Sequence, residues 1–218
     1  MSDPTLIDLS HLIEAGMTTY KGLPGPHICD YWTRQHSAAF YDDGSTFQIG
    51  RIDMVANTGT YLDAPFHRFA EGADLGALDL AQLASLPGIA VRSNEMAVDA
   101  DAFAGLDVAG KAVLVHTAWD RHWRTGAYYS DHPFLTEAAA RLLADRGAKL
   151  VGIDSHNIDD TRGRSRPVHT LLLGAGVLIC EHMTNLGALP QSGFAFTAVP
   201  PKVAGMGTFP VRAFARIG

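Results

Sequence analysis

The chain has 218 residues, of which 47% are hydrophobic and 18% are charged, and this composition is typical of a folded globular protein. Its formal net charge of −6 lacks the basic excess of a nucleic-acid-binding surface, and no apolar segment approaches the roughly 18 residues that a membrane-spanning helix needs. The two cysteines are too few for a disulfide framework. We therefore expect neither nucleic acid nor a membrane among the partners of this protein.

The N-terminus and the organisation of the chain predict where the protein is located and how many domains it has. The N-terminus, Met1-Ser2-Asp3-Pro4, lacks the basic and apolar regions of a signal peptide, which predicts a cytoplasmic protein. No internal repeat and no Ser/Gly-rich linker marks a domain boundary, and a single core can grow to roughly 250 residues before a chain divides. Residues 1–218 are therefore predicted to form one domain.

Short apolar runs of strand length dominate the sequence. In chain order, the predicted strands cover residues 47–55, 89–92, 112–116, 150–154, 177–180, 194–199 and 211–215. Helices are predicted over 78–86 and 136–146, the second with Thr136 as its N-cap and Gly147 just after its end. The strand–helix–strand pattern from 112 to 153 is typical of a parallel crossover. The expected fold class is α/β, rich in β-structure, with a mixed sheet.

Polar side chains cluster in the stretch from Asn57 to Arg68, NTGTYLDAPFHR, which directly follows a strand-like run. Its glycine and proline predict a loop at a strand end, where active-site groups commonly lie. Within it, Asp63 and His67 are separated by a proline that stiffens the backbone. A carboxylate beside an imidazole can share a metal ion or orient the imidazole as a general base. On spacing alone, the alternative is a local turn next to an exposed histidine.

This stretch resembles the signature of the cyclase-type metal-dependent hydrolases, a family that includes bacterial kynurenine formamidases and isatin hydrolases. The family motif reads His-x-Gly-Thr-His-x-Asp-x-Pro-x-His. Further blocks resemble family segments in the same order, at residues 8–11, 16–24, 113–119, 151–154, 169–174 and 181–186. The resemblance covers nearly the whole chain and implies a β-rich α/β fold of the swivelling β/β/α type.

The resemblance also implies roles for individual residues. Asp63, His169 and Glu181 fall on metal-ligand positions of the family, and His67 falls on its catalytic histidine. Asn57 stands where the family motif has a further histidine.

Tyr61 replaces a second histidine of the motif. Because an amide and a phenol are poor substitutes for imidazole at zinc, we expect one divalent metal ion, zinc or manganese. A site without any metal is the alternative. No nucleotide cofactor is expected, since Gly174-Ala175-Gly176 lacks the third glycine of a dinucleotide-binding loop.

Several other residues have two interpretations. His156 and His182 are either substitute ligands for the missing histidines or hydrogen-bonded interior residues. The basic run from Arg162 to Arg166 is either a solvated loop or a clamp for an anionic substrate. The aromatic residues that line a substrate pocket, or else belong to the core, are Tyr20, Trp32 and Phe66.

The function implied by the resemblance is hydrolysis of an amide, formamide or lactone bond in a small cyclic or aromatic molecule. Metal-activated water would attack, His67 would act as the general base, and Tyr61 would donate a hydrogen bond to the developing oxyanion. The resemblance further implies a homodimer or homotetramer. Two alternatives stay open: a metal-free isomerase or lyase that uses His67, Tyr61 and Asp63, and a non-catalytic protein that binds a small molecule.

Overall fold

The computed structural model describes residues 4–218, so the residues 1–3 used in the signal-peptide argument lie outside it. Its strands are β1 (Thr5–Asp8), β2 (His27–Trp32), β3 (Ile49–Asp53), β4 (Tyr61–Asp63), β5 (Leu86–Arg92), β6 (Ala97–Val98), β7 (Ala112–His116), β8 (Phe134–Leu135), β9 (Leu150–Ile153), β10 (Leu178–Glu181), β11 (Phe194–Thr197), β12 (Thr208–Pro210) and β13 (Phe214–Ile217). Its α-helices are α1 (Arg34–Ser37), α2 (Glu137–Asp145) and α3 (Pro167–Gly174). Short 3-10 turns connect many of these elements, including Pro65–His67 and Leu80–Gln82.

One mixed sheet organises the molecule, with the strand order β1-β13-β11-β5-β7-β9-β10-β4-β12. The central strands β5, β7, β9 and β10 are parallel, and the strands on both flanks are antiparallel to their neighbours. Only residues 211–213 separate β12, at one edge, from β13, beside the other edge. The sheet must therefore curl until its two edges approach each other. The predicted β-rich α/β fold with a mixed sheet is confirmed.

Two helices cross over between parallel strands. Helix α2 connects β7 to β9, as the sequence predicts, and α3 connects β9 to β10. The hydroxyl of Thr136 accepts a hydrogen bond from the Ala139 amide and so caps α2, and Gly147 follows the helix with φ 75°. No helix among residues 4–218 is long and apolar enough to cross a bilayer.

Side chains alternate across the sheet and form two separate cores. Val113 and Val115 of β7 pack into one core with Leu143 of α2 and Leu172 of α3. The residue between them, Leu114, packs into the other core, which draws members from nearly every strand of the sheet and is enclosed by its curl. Helices thus cover one face of the sheet, and the curl of the sheet encloses the other face.

The helix predicted over 78–86 is wrong. This segment contains only the 3-10 turn Leu80–Gln82, after which Ser85 has φ 55° and β5 begins at Leu86. Pro87 disfavours helical geometry at the residue before it, and Leu86 instead pairs with Phe196 in the sheet.

Three other expectations also need correction. The strand predicted over 47–55 is shortened to β3, and it pairs only with β2, in a ribbon apart from the main sheet. The strand predicted over 211–215 is divided, because residues 211–213 span the gap between β12 and β13. The loop predicted over 57–68 contains β4, a fully buried strand between β10 and β12.

Candidate active site

Strand β4 carries two polar side chains of the candidate site. Tyr61 lines a cavity, and Asp63 lies beside His67 and His169, which line the same cavity. Tyr61 lies opposite Glu181 of β10, and Asp63 lies opposite Thr208 of β12. The residue between them, Leu62, faces the core enclosed by the sheet, as period-two alternation requires. Both polar side chains are buried, with 1% of Tyr61 and none of Asp63 exposed. A buried strand that is paired on both sides therefore fixes the position of the Asp63 carboxylate.

Helix α3 presents His169 to the same cavity. The carboxylate of Asp159 accepts hydrogen bonds from the Val168 and His169 amides, at 2.8 and 3.0 Å, and so caps the first turn of the helix. It also accepts a hydrogen bond from His169 Nδ1 at 2.6 Å. Because Nδ1 then carries the proton in the neutral imidazole, Nε2 keeps a free lone pair. A carboxylate that orients an imidazole in this way is the usual support of a metal-ligating histidine.

The atoms around His169 Nε2 are electron-pair donors like itself. Asp63 Oδ2 lies 3.8 Å away and Glu181 Oε1 lies 3.6 Å away. Asp63 Oδ2 is buried and has no hydrogen-bond partner among residues 4–218. Buried acceptors that face each other need a cation between them. These residues fit a divalent metal ion, since imidazole nitrogen and carboxylate oxygen are ligands of zinc, manganese and iron.

A hydroxyl couples His67 to Asp63. The Thr208 hydroxyl donates its proton to Asp63 Oδ1, because an ionised carboxylate can only accept. The same hydroxyl oxygen must therefore accept a hydrogen bond from His67 Nδ1, 2.8 Å away. This leaves the lone pair of His67 on Nε2. The strand carrying Thr208 approaches closely because Gly207 has no side chain: a Cβ there would lie 2.3 Å from the His67 amide nitrogen.

Two side chains compete for the place of third ligand. Asp63, His67 and His169 each offer an atom within 4.8 Å of the others, and Glu181 is outside this group although it lies close to His169. Each carboxylate oxygen of Glu181 already accepts a hydrogen bond: Oε1 from the Ile158 amide and Oε2 from the Tyr61 hydroxyl, both at 2.6 Å. His67, in contrast, is 34% exposed and faces the cavity.

Tyr61 has a different hydrogen-bond partner from the one expected. Burial raises the pKa of the Tyr61 phenol well above its usual value, and the Glu181 carboxylate adds to this effect. The phenol therefore keeps its proton and donates it to Glu181. The expected hydrogen bond to an oxyanion is replaced by one that holds the Glu181 carboxylate in place.

The pKa values show how strongly this site attracts a positive charge. Burial alone would lower the pKa of His169, but the carboxylates of Glu181, Asp159 and Asp63 outweigh burial and raise it to about 10. Burial raises the pKa of Glu181, and the neighbouring Asp63 charge acts in the same direction. Without a metal ion, the cluster therefore holds a proton at neutral pH.

The cavity above these groups has a volume of about 210 Å³. Of the residues singled out from the sequence, it is lined by Tyr20, Asn57, Tyr61, His67, His169 and Glu181. Three further lining residues were not assigned from the sequence: Leu23, Arg68 and Asn157. Arg166, from the basic run that the sequence offers as a solvated loop or a clamp for an anion, also lines the cavity.

Two aromatic residues expected in the pocket lie elsewhere. Trp32 packs against the rings of His36, Phe40 and Phe47, with centroids 5.2 to 5.9 Å away, because the β2–β3 ribbon carries it away from the sheet. Phe66 is half-buried, with its amide bonded to the Ala73 carbonyl, and it does not line the cavity.

His156 and His182 lie behind the cavity and not among the candidate ligands. His182 Nε2 donates to the His156 carbonyl at 2.7 Å, and the two rings are 5.6 Å apart. Burial lowers the pKa of His156 to about 3 and that of His182 well below its usual value. Both are therefore neutral. Neither belongs to the metal-binding group found among residues 4–218.

Changing Asp159 to asparagine is expected to weaken divalent-metal binding by about 10- to 100-fold, because His169 loses the carboxylate that fixes its tautomer and orientation. The matched control is Asp160→Asn, since Asp160 is the next residue and pairs with Arg162 away from the cavity. Dissociation constants for Mn²⁺ from calorimetry measure the effect. Equal affinities in the two variants would contradict this role of Asp159.

Metal affinity is also expected to rise with pH. Since the pKa of His169 is raised to about 10, its imidazole is protonated at neutral pH, and a cation bound at Nε2 must displace that proton. Each displaced proton increases the apparent affinity by up to about tenfold per pH unit below that pKa. Calorimetry with Mn²⁺ in buffers of different ionisation enthalpy counts the released protons. An affinity that does not change with pH would contradict the assignment of His169 as a ligand.

Comparisons with known proteins place the chain in a family and identify structures with the same fold. The Cyclase family model matches residues 7–160. The kynurenine formamidase of Geobacillus thermodenitrificans (strain NG80-2) is 28% identical over 212 residues, 96% of each chain. A solved structure described as a potential metal-dependent hydrolase with cyclase activity has a TM-score of 0.81 at 28% identity, covering 99% of this chain and 98% of that one. Isatin hydrolase A from Labrenzia aggregata, at 21% identity, shares the fold, with a TM-score of 0.82 over 98% of this chain and 94% of its own.

Proposed function

The chain belongs to the cyclase family, and from this premise we propose that it is a hydrolase that cleaves a non-peptide C–N bond in a small aromatic amide. The formamidase and the isatin hydrolase to which it is similar are both named for reactions of this type. The cavity suits such a substrate in size and lining, since the Tyr20 ring and Leu23 supply apolar surface beside the polar groups.

The observation that carries the proposal is the buried Asp63 Oδ2, which has no hydrogen-bond partner among residues 4–218 and lies 3.8 Å from His169 Nε2. We propose that these two atoms, with Glu181 as the third ligand, hold one divalent metal ion. Such an ion polarises a carbonyl and lowers the pKa of a bound water towards about 7. The Glu181 carboxylate is held by the Tyr61 hydroxyl and the Ile158 amide, and its Oε1 lies 3.6 Å from His169 Nε2.

His67 supplies the proton transfers in this proposal. Its Nδ1–H is donated to Thr208, so Nε2 is free to take a proton from the water that attacks the carbonyl carbon. The same nitrogen then returns the proton to the amine that leaves as the C–N bond breaks. The hydroxyl of Thr208 and the Asp63 carboxylate behind it fix the tautomer during both transfers.

The test is hydrolysis of formanilide and of isatin, followed spectrophotometrically with the wild-type protein loaded with Mn²⁺ or Zn²⁺. We expect turnover of at least one of these amides, its loss on dialysis against a chelator, and its return when the ion is restored. The matched control is His169→Ala, which should not recover with metal. Absence of turnover with both substrates and both ions would contradict the proposed function.

A further inference from the structure

Two arginine side chains line the cavity without a carboxylate partner. Arg68 follows the Pro65–His67 turn, and Arg166 directly precedes α3. Other arginines form exposed ion pairs, with Glu14, Glu137, Asp160 and Asp8. Neither Arg68 nor Arg166 forms a salt bridge within residues 4–218. Two unpaired cations at the wall of one cavity are a binding feature that the hydrolytic steps above do not use.

The hydrogen bonds of these arginines hold them in place and leave donors free. Arg166 is half-buried, and its Nη1 donates to three backbone carbonyls of the loop before α3, at 2.7 to 3.2 Å. Arg68 donates from Nε to the Thr170 hydroxyl at 3.1 Å. In both guanidinium groups, Nη2 has no partner among residues 4–218, and in Arg68 Nη1 is free as well. Each anchored group can therefore still donate to a ligand.

The cavity is consequently divided by charge. Its inner part is lined by the buried Glu181 carboxylate, and its accessible wall by the two guanidiniums. The Asp63 carboxylate is buried beside the lining residues His67 and His169. A neutral amide would leave both cations without a partner. A guanidinium matches the planar geometry of a carboxylate and forms short, charge-assisted hydrogen bonds with it.

We propose that Arg68 and Arg166 form an anion subsite that binds a carboxylate carried by the aromatic amide substrate. This inference rests on the proposed function and adds to it the charge of the substrate. The carboxylate pairs with the guanidiniums, the aromatic ring lies along Tyr20, and the scissile carbonyl faces Asp63 and His169.

The kinetic test compares 2-formamidobenzoate with formanilide, which share the scissile bond and differ by one carboxylate. In the wild type, kcat/KM for 2-formamidobenzoate is expected to exceed that for formanilide by about tenfold or more, and Arg68→Gln and Arg166→Gln should each reduce this ratio by a similar factor. The matched control is Arg164→Gln, which removes the same charge from an exposed position of the same loop outside the cavity. A wild-type ratio near one, or an equal decrease in all three variants, would overturn the subsite.

A binding measurement separates failure of the subsite from failure of the proposed function. Calorimetric titration with benzoate, and with benzamide as the neutral analogue, needs no turnover. Weaker benzoate binding in Arg68→Gln and Arg166→Gln than in Arg164→Gln supports the subsite even if neither formamide is hydrolysed. Equal benzoate affinity in the three variants overturns it, even if formanilide is hydrolysed. Melting temperatures confirm folding, and Arg68→Gln leaves the loop contacts of Arg166 intact.

Discussion

Replacement of Asp63 by asparagine is expected to lower kcat/KM by roughly a thousandfold, because several kcal/mol of metal-dependent transition-state stabilisation are lost. The side chain keeps its shape, and its oxygen can still accept from Thr208. What disappears is the negative charge of the buried carboxylate whose Oδ2 has no hydrogen-bond partner among residues 4–218. The measurement is steady-state hydrolysis of the amide substrate, with metal content determined on the same sample.

The control for this variant is Asp74→Asn. This change also removes a carboxylate charge, but Asp74 lies outside the cavity, where its side chain accepts a hydrogen bond from the Gly205 amide. Asp74→Asn should keep its metal and its activity. If Asp63→Asn retained both, the Asp63 carboxylate would not be a ligand and the proposed mechanism would be wrong.

Replacement of His67 by glutamine is expected to reduce kcat by roughly 10²- to 10⁴-fold, the range lost with a general base. Metal content should stay at the wild-type level, since Asp63, His169 and Glu181 remain. This variant decides between the two candidates for the third ligand. Because a ring nitrogen of His67 lies within 4.8 Å of the ligand atoms of Asp63 and His169, loss of metal together with activity would make His67 a ligand and contradict its role as the base.

Much of the fold could be predicted because strand signals are local. The continuous apolar run of Val113, Leu114 and Val115 indicates a strand buried on both faces, and β7 has the predicted bounds. The cap at Thr136 and the glycine at 147 similarly define α2. The sequence does not reveal pairing. The strand predicted over 47–55 becomes β3, which joins a ribbon apart from the main sheet, because register and partner depend on distant residues.

The residues of the site also divide into those that a local motif indicates and those that only the folded chain brings together. Asp63 and His67 lie in one short motif, and family resemblance adds His169 and Glu181. Asp159 was missed, because it lies eight residues before Pro167 of α3, too far for a recognisable capping pattern, and acts only once the loop folds back.

Thr208 was missed for a different reason. It is 141 positions from His67 and reaches it only because β12 pairs with β4. Arg166 was recognised only as part of a basic loop, and the sequence could not indicate which of its arginines faces the cavity.

Substitution of two family histidines by Asn57 and Tyr61 makes metal binding the central claim. It is tested most directly by elemental analysis of wild-type protein purified without a chelator or a metal-binding tag, beside Asp63→Ala and His169→Ala. We predict about one equivalent of zinc, manganese or iron per wild-type chain and none in either variant. Wild-type protein that binds no metal even after incubation with each ion would contradict the account and leave metal-free acid–base chemistry or simple ligand binding.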